Sequence, residues 1–297
     1  MEGQGHGASE LTPRLAYDVP IVSANTTIEW ATKSWNPTTG CTRVSAGCDN
    51  CYAFRLHDMR FAKNRAAARA NDHRSARDAR SAGVSLPFAT QYDTPFSKIQ
   101  LLDQRLGDPF TWRQSERVFV DSMADLFHEA VPDAFLDRVF LVMEQVDRHV
   151  YQVLTKRPAR LAAYARRRYG DGLAPAHVWL GTSIEDINVA SRVDELRQVP
   201  ARVRFLSCEP LIGSLRTISL VGIHWVIAGG ESGPRRRRLD MAWVRELRDL
   251  CGREEVAFFF KQVGGHTPKA GGRALDGRTH DDFPVVENAA LPALAPI

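Results

Sequence analysis

RVFVDSMAD (117–125), VYQVLTKRP (150–158), VWLGTSIED (178–186), VRFLSCEPL (203–211), HWVIAGGESG (224–233) and VAFFFKQVG (256–264) repeat one pattern. Each is a short apolar, β-branched or aromatic run that ends in polar residues. The runs are apolar on both faces, as parallel strands covered on both sides must be. Helical patterns lie between them. Pro132 opens a helix whose Phe135, Val139, Val142 and Val146 share a face, and Pro158 opens another carrying Leu161 and Tyr164; proline suits a helix's first turn. Further on, Ile187, Ala190, Val193 and Leu196 form one stripe, and Met241, Val244, Leu247 and Cys251 another. Successive runs start 21 to 33 residues apart with one helix between them, which describes βα units. Right-handed crossovers curl such a series into a full or partial (β/α) barrel of the TIM type, preferred here over an open doubly wound α/β sheet. A seventh strand is expected near Thr27–Trp30, ahead of a basic helical insertion at about 55–115. One domain is expected over 27–287, between a flexible arm at 1–26 and a flexible tail at 288–297.

In either architecture the active site lies at the carboxyl ends of the strands. The polar groups there are Asp121, Ser122 and Asp125; Thr155, Lys156 and Arg157; Thr182, Ser183 and Glu185; Ser207, Cys208 and Glu209; Gly229, Gly230, Glu231 and Ser232; Lys261 and Gln262. Ser183, Asp186 and Ser232 can serve as helix caps, and a set of polar groups on every strand implies a polar cavity.

The loop Gly40-Cys41-Thr-Arg-Val-Ser-Ala-Gly47-Cys48-Asp-Asn-Cys51-Tyr52 has the spacing C-x6-C-x2-C. Three thiols within eleven residues can converge on one centre, and soft thiolates suit zinc or an iron–sulfur cluster. A structural zinc takes four closed ligands, and no fourth Cys or His follows at the customary spacing. A zinc completed by Cys208 or a distant His, and a thioredoxin-like CxxC, are the competing readings. Cys251 falls on the apolar stripe of its helix and reads as core, whereas Cys208 can face either the cavity or the helices.

Composition narrows the class. Apolar residues are 44% and charged residues 25% of the 297-residue chain, a balance that supports a sizeable core. No apolar run approaches the roughly 18 residues of a membrane span. The N-terminus has no basic stretch followed by an apolar one, so a cytoplasmic location is expected, where clustered cysteines stay reduced and read as metal ligands or reactive thiols rather than disulfides. The net charge of +4 is unevenly spread. Eight Lys or Arg against three Asp lie between Arg55 and Arg80, and further clusters occur at Arg166–Arg168 and Arg235–Arg238. Such clusters either contact phosphates or form solvated faces. His57, His73 and His128 are acid–base candidates with an alternative reading as surface residues.

SWNPTTGCTRVSAGCDNCYAFRL, followed in order by VFVDSMADLFHEAVPDAFLDRVFLVM, YQVLTKRPARL, VWLGTSIED, VRFLSCEPLIG, HWVIAGGESGP and FFFKQVGG, resembles a phage-associated three-cysteine-motif family of unknown function, over about Thr27 to Arg278. That family is distantly similar to radical S-adenosylmethionine (SAM) enzymes. The resemblance implies a barrel whose Cys41, Cys48 and Cys51 hold a 4Fe-4S cluster, with SAM on the open iron and an external electron donor. Asp121, Asp125, Gly229, Gly230 and Glu231 would then bind the cofactor, and Lys156, Glu209 and Lys261 would be the catalytic candidates, with a nucleic acid or nucleotide as substrate. Two departures stand out. Radical SAM enzymes space their cysteines C-x3-C-x2-C, and they carry Gly-Gly-Glu on the second strand, whereas Gly229-Gly230-Glu231 ends a much later one. A zinc-dependent barrel hydrolase and a non-catalytic nucleic-acid-binding protein stapled by its cluster are the alternatives.

Overall fold

The computed structural model describes residues 25–286, so the expected tail and all but Asn25 and Thr26 of the expected arm lie outside the described residues. The described residues form nine strands: β1 (Lys33–Trp35), β2 (Thr38–Thr39), β3 (Gln100–Leu101), β4 (Arg117–Val120), β5 (Val150–Thr155), β6 (Val178–Ser183), β7 (Arg204–Cys208), β8 (Trp225–Gly229) and β9 (Ala257–Gln262). Helix α1 (Tyr52–Ala70), α2 (Ala76–Ser81) and the short α3 (Asp108–Thr111) precede β4, and α4 (Asp133–Gln145), α5 (Pro158–Tyr169), α6 (Ser191–Arg197) and α7 (Met241–Arg253) alternate with the later strands.

Seven strands form one all-parallel sheet in the order β1-β4-β5-β6-β7-β8-β9, while β2 and β3 pair antiparallel outside it. The order never reverses, so there is no switch point of the kind a doubly wound sheet needs. Right-handed crossovers then put the helices on one side and curl the sheet into a barrel wall. No ladder joins β1 to β9 among the described residues, so the barrel is partial. Its first strand is Lys33–Trp35 rather than Thr27–Trp30. Trp30 instead turns into the barrel, where it is buried against Phe119 and Trp225.

Alternation along each strand splits the core in two. Val118, Leu206 and Val226 face the helices with Phe140, Leu161 and Leu247. Phe119, Phe205 and Trp225 face inward with Trp30, Trp179 and Phe259. Trp225 lies 5.1–6.2 Å from the rings of Phe283, Phe205, Trp179, Trp30 and Phe259. Each such pair adds about 0.5–1.5 kcal/mol beyond burial. A Cβ at Gly181 would sit 2.5 Å from the Phe205 ring, so that position leaves room for the aromatic layer. The inner face is therefore a packed, largely aromatic floor.

The helix expectations for α4, α5 and α7 match, with Pro132 capping α4 and Pro158 starting α5. The stripe at 187–196 does not form one helix. Asp186 accepts from the Asn188 backbone N–H at 2.9 Å and starts a 3-10 turn. That turn leaves Ile187 exposed, and the helix begins at Ser191. Cys251 is buried on α7, and Cys208 packs on the helix side of the sheet. No helix is long and apolar enough to cross a membrane among the described residues.

Candidate metal centre and strand-end cavity

A cavity of about 790 Å³ opens at the carboxyl ends of the strands. All three clustered cysteines line it, together with Asp121 and Asp125 after β4, Lys156 and Arg157 after β5, Glu209 after β7, Gly230 and Glu231 after β8, and Lys261 in β9. The cysteine loop is held there by successive clamps. Gly40 has φ of 102°, and a Cβ on it would lie 2.5 Å from the Lys98 carbonyl oxygen, so only glycine fits. The Cys41 N–H donates to the Phe96 carbonyl at 3.0 Å. Just upstream, the Thr38 N–H (3.2 Å) and hydroxyl (2.6 Å) both donate to the Asp121 carboxylate. Burial pushes the Asp121 pKa up to about 7, against those two hydrogen bonds.

Two carboxylates from different strand ends grip the rest of the loop. Glu185 is buried and accepts from the Ser45 hydroxyl at 2.9 Å; it also pairs with Lys156 and, at 3.1 Å, with Arg192. Gly47 lies so close that a Cβ there would be 2.3 Å from Glu185 Cγ. On the other side Glu231 accepts from Asn50 Nδ2 at 3.0 Å and from the Arg237 N–H at 2.6 Å, and it pairs with the Arg237 guanidinium. Arg237 in turn donates to the Ala46 carbonyl at 2.9 Å. Burial raises the Glu231 pKa, but the hydrogen bonds from Arg237 and Asn50 outweigh it and leave the carboxyl below its usual range.

Arg157 joins Cys41 to the β4 and β5 ends. Its guanidinium donates to Asp125 (2.8 Å), Glu129 (2.8 Å) and Thr42 Oγ1 (2.8 Å), and reaches the Cys41 sulfur at 4.0 Å. Asp125 also accepts from Thr155, Phe127 N–H and Lys156 N–H, so its oxygens are fully engaged within the protein. Burial, helped by Asp125 and opposed by Arg157, pushes the Cys41 thiol up to about 12. His128 is buried rather than at the surface. Its Nδ1 accepts from the Ala130 N–H at 3.1 Å, which leaves Nε2 to donate to Thr42 at 2.8 Å. His57 is buried as well, bonded to the Thr94 carbonyl at 2.9 Å.

Glu209 and Lys261 stand 3.1 Å apart in the cavity wall, and Ser207 donates to Glu209 at 3.2 Å. The two glycines at the end of β8 are explained by packing. A Cβ on Gly229 would lie 2.7 Å from Glu209 Oε1, and one on Gly230 would lie 2.1 Å from the Val263 carbonyl oxygen. Gly229 is not part of the cavity wall.

A family model matches residues 25–284 of the chain. The chain belongs to the family described as protein of unknown function (DUF5131). No curated protein matches it. Among solved structures it is similar to "Spore photoproduct lyase complexed with dinucleoside spore photoproduct", at 11% sequence identity and a TM-score of 0.40, over 78% of this chain and 64% of that one. The DUF5131 chain thus spans less than two thirds of that protein's length, and a likeness this distant says nothing of the reaction.

The donor set of this DUF5131 protein is three thiols on one loop. A zinc ion about 2.3 Å from each thiolate needs its sulfurs roughly 3.8 Å apart. Among the described residues no three His, Cys, Asp or Glu form a group that compact, and Cys208 is sealed on the far side of the sheet. In a 4Fe-4S cluster each cysteine binds a different iron, which spreads the sulfurs around a larger body. All three thiols line one cavity. Glu185, Ser45, Gly47 and Arg237 were not singled out by the sequence as the loop's anchors. Glu185 carried a signal, being a carboxylate at the polar end of the VWLGTSIED run; the others gave none.

Proposed function

We propose that this DUF5131 protein is a cytoplasmic iron–sulfur enzyme of the radical SAM type, acting on a nucleic acid or nucleotide and supplied by an external electron donor. The observation that carries the proposal is that Cys41, Cys48 and Cys51 open together into the strand-end cavity. The C-x6-C-x2-C loop and the resemblance to phage-associated three-cysteine proteins support the same reading.

Cys41, Cys48 and Cys51 would hold a 4Fe-4S cluster. When bound and reduced, the cluster supplies the electron that splits SAM and starts radical chemistry on the substrate. The chain's own residues supply the rest. Cys51 caps the amino end of the 19-residue helix α1, where the helix dipole favours an anionic group. Arg157 brings a positive charge and an N–H toward the first cysteine, the kind of outer contact that tunes a cluster. Glu209 and Lys261 present a carboxylate and an ammonium side by side, which match the amino and carboxylate groups at the amino-acid end of SAM. Asp121 and Asp125 act by positioning Thr38 and Arg157, and Lys156 by neutralising buried Glu185. The aromatic floor keeps water from entering through the barrel.

The stapled-loop alternative is weaker on physical grounds. Glu185, Glu231 and Arg237 already fix the loop without any metal, so a cluster serving only as a staple would add little.

The test is iron and sulfide content of protein purified without oxygen, then deoxyadenosine formation after dithionite reduction in the presence of SAM. About four irons per chain is the expected result. Zinc in place of iron would overturn the proposal, and iron without SAM cleavage, with or without oligonucleotide, would reduce it to a cluster-binding protein.

A further inference from the structure

The three basic clusters have different fates. Arg166–Arg168 are consumed within the protein: Arg167 pairs with Asp133 and Asp137, Arg168 with Glu144 and Asp137, and Arg166 bonds Gln198. By contrast, exposed Arg55, Arg65 and Arg69 on α1, and exposed Arg235 and Arg236, have no carboxylate partner among the described residues. These two groups meet at the cavity mouth. A Cβ on Gly233 would lie 2.6 Å from Arg55 Nη1, so the Arg55 guanidinium rests against the backbone of the Arg235–Arg236 loop. Asn50, between two of the cysteines, donates to the Arg235 carbonyl at 2.8 Å. Arg55, Arg65 and Arg69 lie on one side of α1, with Asp58 the one acid among them. From Arg55 to Arg69 the helix rises about 21 Å at 1.5 Å per residue. That distance spans about six phosphates at the duplex rise of ~3.4 Å per strand, and fewer in an extended strand.

The mouth also carries an exposed aromatic. Tyr52 is 48% exposed, lines the cavity, and donates from its hydroxyl to the Ser122 carbonyl, so its ring is fixed in place. A cationic track beside a fixed aromatic is the arrangement that binds single strands, through phosphate contacts and base stacking. A stacked duplex cannot place a base into a cavity without extruding it.

We infer that α1 and the Arg235–Arg236 loop form a track for single-stranded nucleic acid that leads one base past Tyr52 toward the cysteine loop. The inference rests on the proposed nucleic-acid or nucleotide substrate and narrows it to a polynucleotide single strand.

The experiment is fluorescence anisotropy of a labelled 12-nucleotide oligo-dT, titrated with the full chain as purified, over a range of salt. Iron content is measured on the same samples, so a missing cluster and a missing track give separate results. Arg235→Ala/Arg236→Ala should weaken binding at least tenfold at low salt and flatten the log K against log salt slope by about 1.4. Arg166→Ala/Arg167→Ala removes the same charge and should leave both unchanged. Tyr52→Ala should weaken binding about fivefold or more with the slope kept, and Tyr52→Phe should restore it. Equal losses from the two arginine pairs would refute the track, as would equal affinity for a 12-base-pair duplex, or no binding of the single strand at all.

Discussion

Replacing Gly47 by Ala tests how the cysteine loop is held. The added Cβ would lie 2.3, 2.4 and 2.6 Å from Cγ, Oε1 and Cδ of Glu185, all far inside contact distance, so either the loop or the carboxylate must move. Glu185 is 1% exposed and tied to Lys156, Arg192 and Ser45. Breaking a buried ion pair costs about 3–5 kcal/mol, whereas overpacking relieved by a backbone shift costs about 1–3 kcal/mol. The loop therefore gives way, and Cys48, the next residue, moves with it. A cost near 2 kcal/mol corresponds to roughly 30-fold weaker retention of a centre that needs the native loop, at 1.4 kcal/mol per tenfold. The assay is iron and sulfide per chain after anaerobic reconstitution with limiting iron, beside a thermal melt. The expected outcome is a large loss of iron with a melting temperature only a few degrees lower. Adding Glu185→Asp, which shortens the acid by one methylene, should recover part of the iron. Full iron retention by Gly47→Ala would show that this contact does not set the loop.

Each of Cys41→Ala, Cys48→Ala and Cys51→Ala should cut iron to a small fraction of the wild-type content while the circular dichroism spectrum stays native; a variant that keeps its iron removes that cysteine from the ligand set. Glu209→Gln should keep the iron and lower SAM cleavage at least about tenfold, since a hydrogen bond to a charged group contributes about 1.5–3 kcal/mol; unchanged cleavage would place the amino-acid end of SAM elsewhere. Asp121, with its pKa lifted to about 7 by burial, keeps its proton in the folded state between about pH 4 and 7, where the unfolded chain has lost it. Its contribution to stability therefore falls as pH rises through that window, and Asp121→Asn should gain on the wild type by up to roughly 4 kcal/mol from pH 4 to 7. Parallel urea midpoints for the two proteins across that range would disprove the assignment.

Most of the barrel was legible because its strands are apolar on both faces, a pattern with few alternatives. The six later strands and three of the four helices after β4 follow from it. The first strand was misplaced because Thr27–Trp30 and Lys33–Trp35 are both short, and only the parallel register with Val118–Val120 chooses between them. The helix at 187–196 was misread because a periodic stripe cannot reveal that Asp186 diverts the first turn into a 3-10 geometry. The three cysteines stand close in sequence, and all of them line the cavity. Their supports were not legible, since Glu185 lies 140 residues from Ser45 and Arg237 lies 191 from Ala46, and no local pattern encodes such pairs. The basic clusters looked alike in sequence; the α4 carboxylates beside Arg167 and Arg168 show that this one is spent within the protein.

The two gripping carboxylates also account for where the loop sits in the barrel. Glu185 follows β6 and Glu231 follows β8, so they flank the end of β7, where Glu209 stands with Lys261. Ser45 and Asn50, at either end of the segment that carries Cys48, bond one carboxylate each. The loop is thereby stretched across the β7 end and faces the Glu209–Lys261 pair over the cavity. Cys41 is fixed separately, from the β4 and β5 side, through Arg157. Three cysteines close in sequence thus take their positions from the ends of four strands, β4, β5, β6 and β8.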